Sequence, residues 1–559
     1  MLLVVAWDGA CFDLTDPLVG AGKMPTLAAL LEAGASRPLR STTPAVTYPA
    51  WTTFMTGAGP DRHGVTDFTI RDGYSLRFVN STYRRLPTIW SLMNDAGRRV
   101  GVYGVPATYP PEALDGFQVC GFDTPLGTGA AARITEPRGM ADELRRRYGG
   151  LAIDGPQQAR IGAGWHEQAL AQMLAQIDLR TRIASDLIAE RGLDCFMVHF
   201  GESDTVAHQF WQLCDPSSPR YRAGAGDHLA SALEQVYRAL DQSLARLLEV
   251  AGPAADVVLV SDHGSGGSSD RVLFWNRWLC DRGWLAFRSV GAWSATMGLA
   301  RRMAIQLVPP GLQASAFALL PNVARTIESS VRLGGIDWRR TRLFSEELNY
   351  HPSIWLNLRG REPEGTVDAG DAGPLLDQLE HELRAFRDPF DGQPVVTDVV
   401  RREDLFDGPC AGQVPDLVLR LREPGGFSYA AAGSRGGRER EAVRRLRAEE
   451  VTGARGTSMA GSHRELGLCV VRGEGVRGGR YPAGELADAG ATVLAMAGVP
   501  ATEQMDGRAW SDVLSHVPRG PRGGRTGGPS SGAGPDVQPY DADEERELAQ
   551  RLRALGYVD

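Results

Sequence analysis

The sequence predicts an α/β sandwich on a largely parallel sheet. Short apolar runs ending in Gly, Asp or His alternate with long segments periodic at helical spacing, the pattern of strands joined by crossover helices. At 559 residues the chain exceeds one ordinary core, so insertions or further domains are expected. Hydrophobic residues at 43% and charged residues at 23% are those of a globular protein.

The strand candidates, in order, are "LLVVAWDG", "RRVGVYGVP", "DCFMVHFGESD", "ADVVLVSDHG" and "LGLCVVRGEG". Between the middle ones lie "HEQALAQMLAQIDLRTRIASDLIAERG" and "HLASALEQVYRALDQSLARLLEVAG", both helical in period. The pattern gives a first core segment over residues 1–270, then amphipathic helices over 271–345 and a small α+β unit over 346–450. The apolar "LGLCVVRG" and the helical "DAGATVLAMAGVP" mark a return to the core over 451–516. Residues 517–538 are Gly/Pro/Ser-rich and read as a flexible linker. Residues 539–559 read as a helix with acids first and arginines later, as the helix dipole prefers.

A net charge of -8, with Lys23 the only lysine, argues against nucleic-acid binding. Seven cysteines without CxxC spacing fit a reducing, cytoplasmic setting. The N-terminal apolar run is too short for a secretory leader. The longest apolar stretch is broken by Arg301-Arg302 and Pro309-Pro310, so no transmembrane segment is expected. The Trp, Met and Leu stripe at 293–307 reads as a packed helix.

Ligands of open α/β sheets sit at the carboxyl ends of strands. There the sequence offers Asp8, then Asp204 and His208, then Asp262-His263, with His463 just before the last strand. DxxxH spacing puts Asp204 and His208 on one helix face; the "DHG" turn splays two neighbours toward one centre. Three carboxylates and three imidazoles suit two zinc-like ions, and a bimetallic site suggests hydrolysis or transfer at phosphorus. The nucleophile candidate is Thr47 in "STTPAVTYPAWTTFMTG", at the start of a short helix whose N–H groups and dipole favour phosphate. A threonine hydroxyl acidified by metal would attack phosphorus and give a phospho-threonine that water later cleaves.

The ordered set "WDG", "TPAVTYPAWTTFMTG" with "GPDRHGV", "SDTVAH", "SDHG" and "GSH" resembles the alkaline phosphatase superfamily. The branch is similar to type I phosphodiesterases and nucleotide pyrophosphatases, including predicted phosphohydrolases and phosphomutases. "MPTLAALLEAG", "LPTIWSLMNDAGRRVGVYGVPATYPP", "FWNRWLCDRGWL", "WLNLRGREPEG" and "RALGYVD" extend the likeness over most of the chain. It implies an alkaline-phosphatase-like three-layer sandwich with inserted helical and α+β segments, acting on a small phosphorylated substrate. Asp8, Asp262 and His263 would hold one metal together with the Thr47 oxygen; Asp204, His208 and His463 would hold the other. The metals implied are zinc most often, with manganese in some branches. The family's phosphoryl-binding asparagine after the "HG" turn is replaced here by Asp67-Phe68, and Asn80 is the substitute candidate.

His199 reads as a core or supporting histidine and His63 as structural. His166, His228, His351, His381 and His516 have no partner motif. Thr43 and Thr52 read as turn and helix residues. Three rival readings remain at this stage. A phosphomutase would use serine and a nearby lysine, a sulfatase would need cysteine or serine for its formylglycine, and a non-catalytic binding protein would have lost a ligand.

Overall fold

The structure is a computed structural model. It describes all residues except 126–132, 154, 156–163, 225, 289–332, 351, 448–449, 451–458, 519–539, 541–543, 546, 550–551 and 553–559. Its main sheet has the order β19 (Gly479–Arg480), β2 (Ala35–Arg40), β18 (Leu466–Arg472), β9 (Asp256–Val260), β1 (Leu2–Trp7), β8 (Cys195–Phe200), β5 (Val100–Val105), β6 (Gly116–Cys120), β7 (Thr135–Glu136). A short β20 (Gly484–Glu485) also pairs with β2. Strands β9, β1, β8, β5 and β6 run parallel, whereas β18 is antiparallel to both β9 and β2.

The parallel strands are apolar along their whole length because helices cover both faces. On one face Leu3, Val5, Phe196, Val198 and Leu259 pack with the helices Trp165–Arg191 and Ala232–Ala251. On the other, Leu2, Val4, Ala6, Met197 and Val260 meet Trp51, Phe54 and the helix Leu486–Met496. The result is the three-layer sandwich.

A hairpin, β3 (Thr69–Asp72) and β4 (Ser75–Phe78), projects from the core. The Gly/Ser-rich β10 (Gly264–Leu273) carries the chain out of it. Beyond lie β11 (Leu343–Phe344), β12 (Ser353–Leu356), β13 (Val396–Arg401) and β14 (Leu417–Leu421), an antiparallel sheet in the order β11-β12-β14-β13. Ile354, Leu417 and Leu419 pack there against Leu376 and Leu379 of the helix Ala372–Arg384. β15 (Ser428–Ala431), β16 (Val443–Arg445) and β17 (Gly461–Arg464) return along β10 to the core.

Arg71 of β3 ties the two parts together. Its guanidinium forks onto Glu362 at 2.9 and 2.9 Å, lies 2.8 Å from Glu346 and covers the Trp355 ring. The helix expected over 293–307 lies outside the described residues, as do nearly all of the expected linker and much of the C-terminal segment. Of that segment, Leu548, Ala549 and Leu552 are buried against the core. No helix among the described residues is long and apolar enough to cross a membrane.

Candidate active site

Because β1 is parallel to both β8 and β9, with Trp7 beside Phe200 and Ala6 beside Val260, three strand ends meet at one edge of the sheet. Asp8 leaves β1 there, followed by Gly9 at φ 66. A Cβ on Gly9 would lie 2.7 Å from Ser265 Oγ and 3.1 Å from Asp204 Oδ1, so the turn needs glycine. Asp204 and His208 stand one turn apart on the helix Glu202–Cys214. Asp262 and His263 occupy the turn between β9 and β10. His463 enters from β17, opposite Ser265, and its ring stacks on that of His263 at 3.8 Å. Gly461 permits this approach, since a Cβ there would lie 2.3 Å from the Ala207 carbonyl oxygen.

The six side chains fall into two buried groups, Asp8 with Asp262 and His263, and Asp204 with His208 and His463. In the first, His263 Nε2 is 3.5 Å from Asp8 Oδ1 and 3.4 Å from Asp262 Oδ2. In the second, His208 Nε2 is 3.1 Å from Asp204 Oδ1 and 3.0 Å from His463 Nε2, which lies 3.6 Å from the same oxygen. A tetrahedral zinc with bonds of about 2.0–2.1 Å has ligand edges of about 3.3–3.4 Å. The spacings cluster about that edge.

The protons point the same way. Nδ1 of His208, His263 and His463 faces the carbonyls of Gly461, Gly264 and Ala45 at 3.0, 3.0 and 2.7 Å. Donating there leaves each Nε2 lone pair aimed at the carboxylates. Each first-group carboxylate has one oxygen held and the other directed inward. Asp8 Oδ2 accepts from Trp51 Nε1 at 2.9 Å and faces His199 Nε2 at 2.9 Å, while Asp262 Oδ1 accepts from Gly9 N at 3.2 Å. Asp8 Oδ1, Asp262 Oδ2 and His263 Nε2 are buried with no hydrogen-bond partner among the described residues. Inward lone pairs without donors are what a cation compensates, so the donor set fits two divalent ions.

Electrostatics reflect the crowding. Burial and the Asp8 charge push Asp262 well above the usual carboxylate range. Burial would raise Asp204 too, but the imidazoles of His208, His463 and His263 hold it below. Burial and neighbouring His263 hold His463 well below the ordinary imidazole value.

Thr47 opens the helix Thr47–Thr56, fully buried, and its hydroxyl has no hydrogen-bond partner among the described residues. It sits between two anchors: the Ala45 carbonyl accepts from His463, and Trp51, one turn further, donates to Asp8. Thr52 instead gives its hydroxyl to the Tyr48 carbonyl at 2.7 Å. Asn80 caps a short turn, its amide oxygen accepting from Thr82 N at 3.0 Å and Thr82 Oγ1 at 2.6 Å. Asp67 Oδ2 accepts from Thr69 at 3.4 Å.

Sequence reading did not single out Trp51, three serines and Tyr350. Ser203, Ser265 and Ser261 donate to the Asp8, Gly9 and Ala10 carbonyls at 2.6, 2.7 and 2.7 Å. Each flanks a motif, which is the signal that was available. Tyr350 comes from the inserted unit and stacks on His463 at 4.1 Å with an interplanar angle of 7°, a contact no local pattern reveals.

The family model of the type I phosphodiesterases/nucleotide pyrophosphatases matches residues 2–456. The chain belongs to this family. It is accordingly a hydrolase of phosphate esters, in a metal-dependent group within the alkaline phosphatase superfamily. None of the curated proteins matches it. Among solved structures, phosphonoacetate hydrolase from Sinorhizobium meliloti 1021, in complex with phosphonoacetate, is 17% identical. That match covers 89% of this chain and 95% of the other at a TM-score of 0.52, a likeness of fold. An inactive murine ectonucleotide pyrophosphatase/phosphodiesterase 5 in complex with AMP is 13% identical, covering 92% and 99% at a TM-score of 0.47.

Proposed function

We propose that this phosphodiesterase-family enzyme cleaves a small phosphate ester through a phospho-threonine formed on Thr47. The supporting observation is the pair of carboxylate–imidazole groups with spacings near a tetrahedral edge, tied through Ala45 and Trp51 to the helix start that carries Thr47, whose buried hydroxyl has no hydrogen-bond partner among the described residues. Asp8, Asp262 and His263 would hold one divalent ion and Asp204, His208 and His463 the other, zinc being favoured by three imidazoles. Bound there, the ions would acidify the attacking hydroxyl and offset charge on the phosphoryl oxygens.

Thr47 Oγ1 forms the bond to phosphorus and gives up its proton; the ester P–O bond breaks and its electron pair leaves with the alcohol oxygen, which gains a proton. Water then attacks phosphorus, the P–Oγ1 bond breaks, and Thr47 regains its hydrogen. The helix start holds N–H groups and a positive dipole end toward the phosphoryl oxygens throughout. Tautomer control by the Gly461, Gly264 and Ala45 carbonyls keeps the ligand nitrogens aligned. The seven unpaired cysteines support a reducing, cytoplasmic setting.

The test is Thr47→Ala assayed on aryl phosphate monoesters and diesters with zinc or manganese. Turnover should fall at least about a thousandfold, with two ions per chain retained by elemental analysis. Undiminished turnover overturns the nucleophile; full wild-type activity with fewer than two ions overturns the bimetallic reading.

A further inference from the structure

We propose that the cavity between β14 and the Thr42–Ala45 segment receives the substrate's ester arm, and that this arm ends in an anionic group bound by Arg420. The inference rests on the phosphoesterase reading above. The cavity, of about 390 Å³, is walled by Thr42, Thr43, Tyr350, Arg420 and His463, among others. It therefore begins at the edge of the carboxylate–imidazole centre, beside the Ala45 carbonyl that anchors His463.

Alternation along β14 decides which side chains face it. Val418 through Arg422 all line the cavity, but Leu417, Leu419 and Leu421 also pack into the inserted unit's core, which leaves Val418 and the exposed Arg420 on the alternate face. An arginine on that wall offers a planar fork suited to carboxylate or phosphate.

The charges around the cavity leave this arginine over. Glu423 lies 3.0 Å from Arg464, Glu465 2.7 Å from Arg40, and Arg422 2.9 Å from Asp391. Arg420 has no ion pair among the described residues; Asp398, opposite it in register, accepts from Val399 N at 2.9 Å and is not within ion-pairing distance of the guanidinium. The uncompensated charge in the wall is thus positive, in the same cavity that His463 lines. A carboxylate and a phosphate monoester are two sources of the same complementary charge.

Three 4-nitrophenyl phosphodiesters, whose second arm is ethyl, 2-carboxyethyl or 2-phosphoethyl, test this on the full chain loaded with zinc. The wild type should prefer at least one charged arm in kcat/KM, and Arg420→Ala should lower that preference, relative to the ethyl ester, about tenfold. Arg420→Lys should restore part of it. Preference for the carboxylated or the phosphorylated arm identifies the source. Equal loss on all three esters, or no change in preference, overturns the assignment. Equilibrium dialysis of 2-carboxyethyl and 2-phosphoethyl ethyl phosphates separates the two readings. If no ester is hydrolysed, the reaction proposal falls, while weaker binding to Arg420→Ala than to wild type still upholds the cavity and equal binding overturns it.

Discussion

Trp51 Nε1 donates to Asp8 Oδ2 at 2.9 Å from the turn that follows Thr47 on the same helix. The proposed nucleophile and the proposed ligand are thereby fixed to one rigid element, and the other Asp8 oxygen is left facing inward. Trp51→Phe keeps a ring but removes the donor. Metal affinity should fall about 10–100-fold, the usual effect of losing a group that orients a ligand. Chelator competition measures this, with circular dichroism confirming the fold; unchanged affinity would show that His199 alone orients Asp8.

Arg71 predicts a stability effect far from the chemistry. Its side chain is buried with those of Glu346 and Glu362, so removing it takes a buried cation from both carboxylates and leaves Glu362 to Arg361 at 3.0 Å. Arg71→Ala should cost about 3–5 kcal/mol in urea unfolding of the inserted unit. It should also reduce turnover, since Glu346 lies in the segment that presents Tyr350 to His463. A loss confined to the surface-pair range, about 0–1 kcal/mol, would mean that the clamp does not hold the two parts together.

The parallel core was legible because strands buried on both faces are continuous apolar runs, as in "LLVVAW" and "CFMVHF". β2 was not, since "ASRPLR" carries Ser, Arg and Pro and its place depends on pairing with β18, hundreds of residues away. β10 escaped for a related reason: Gly264, Gly266 and Gly267 lack strand propensity, yet the last two would bring a Cβ within 2.4 and 2.5 Å of Arg464 and Trp211 atoms. At the site, local spacing exposed Asp204 with His208 and Asp262 with His263. Tyr350 reaches the centre, and Arg420 the cavity beside it, only through the fold of the insertion, so no motif around them could announce it.

His63 predicts a pH dependence. It is fully buried, its Nδ1 accepts from Val65 N at 3.1 Å and its Nε2 meets Thr53 Oγ1 at 2.9 Å, so the neutral ring uses both nitrogens. Burial, with the Arg84 charge, pushes it down to about 3 from 6.5. A depressed value means that the unfolded chain binds the proton first. The stability is fully present above pH 6.5 and is lost as pH falls through 3, by about 5 kcal/mol in all. His63→Asn should be less stable than wild type at pH 7, and the gap should narrow progressively toward pH 4 in denaturant titrations. A constant gap would show that His63 does not titrate on unfolding.

Removing metal should reveal the repulsion that the centre holds in check. With ions bound tightly, at a thousand times the dissociation constant, the folded state gains about 4 kcal/mol by mass action. A chelator should therefore lower the melting temperature, and added zinc should restore it. Asp262 sharpens the test, because burial and Asp8 push its carboxyl upward without a cation. Asp262→Asn removes a carboxyl whose burial is costly without a cation while keeping an oxygen for the Gly9 N–H, so the chelated variant should melt above the chelated wild type. With zinc added the order should reverse, since the variant loses a ligand. If the variant melts lower in both conditions, Asp262 acts through packing, not through charge opposed to a cation.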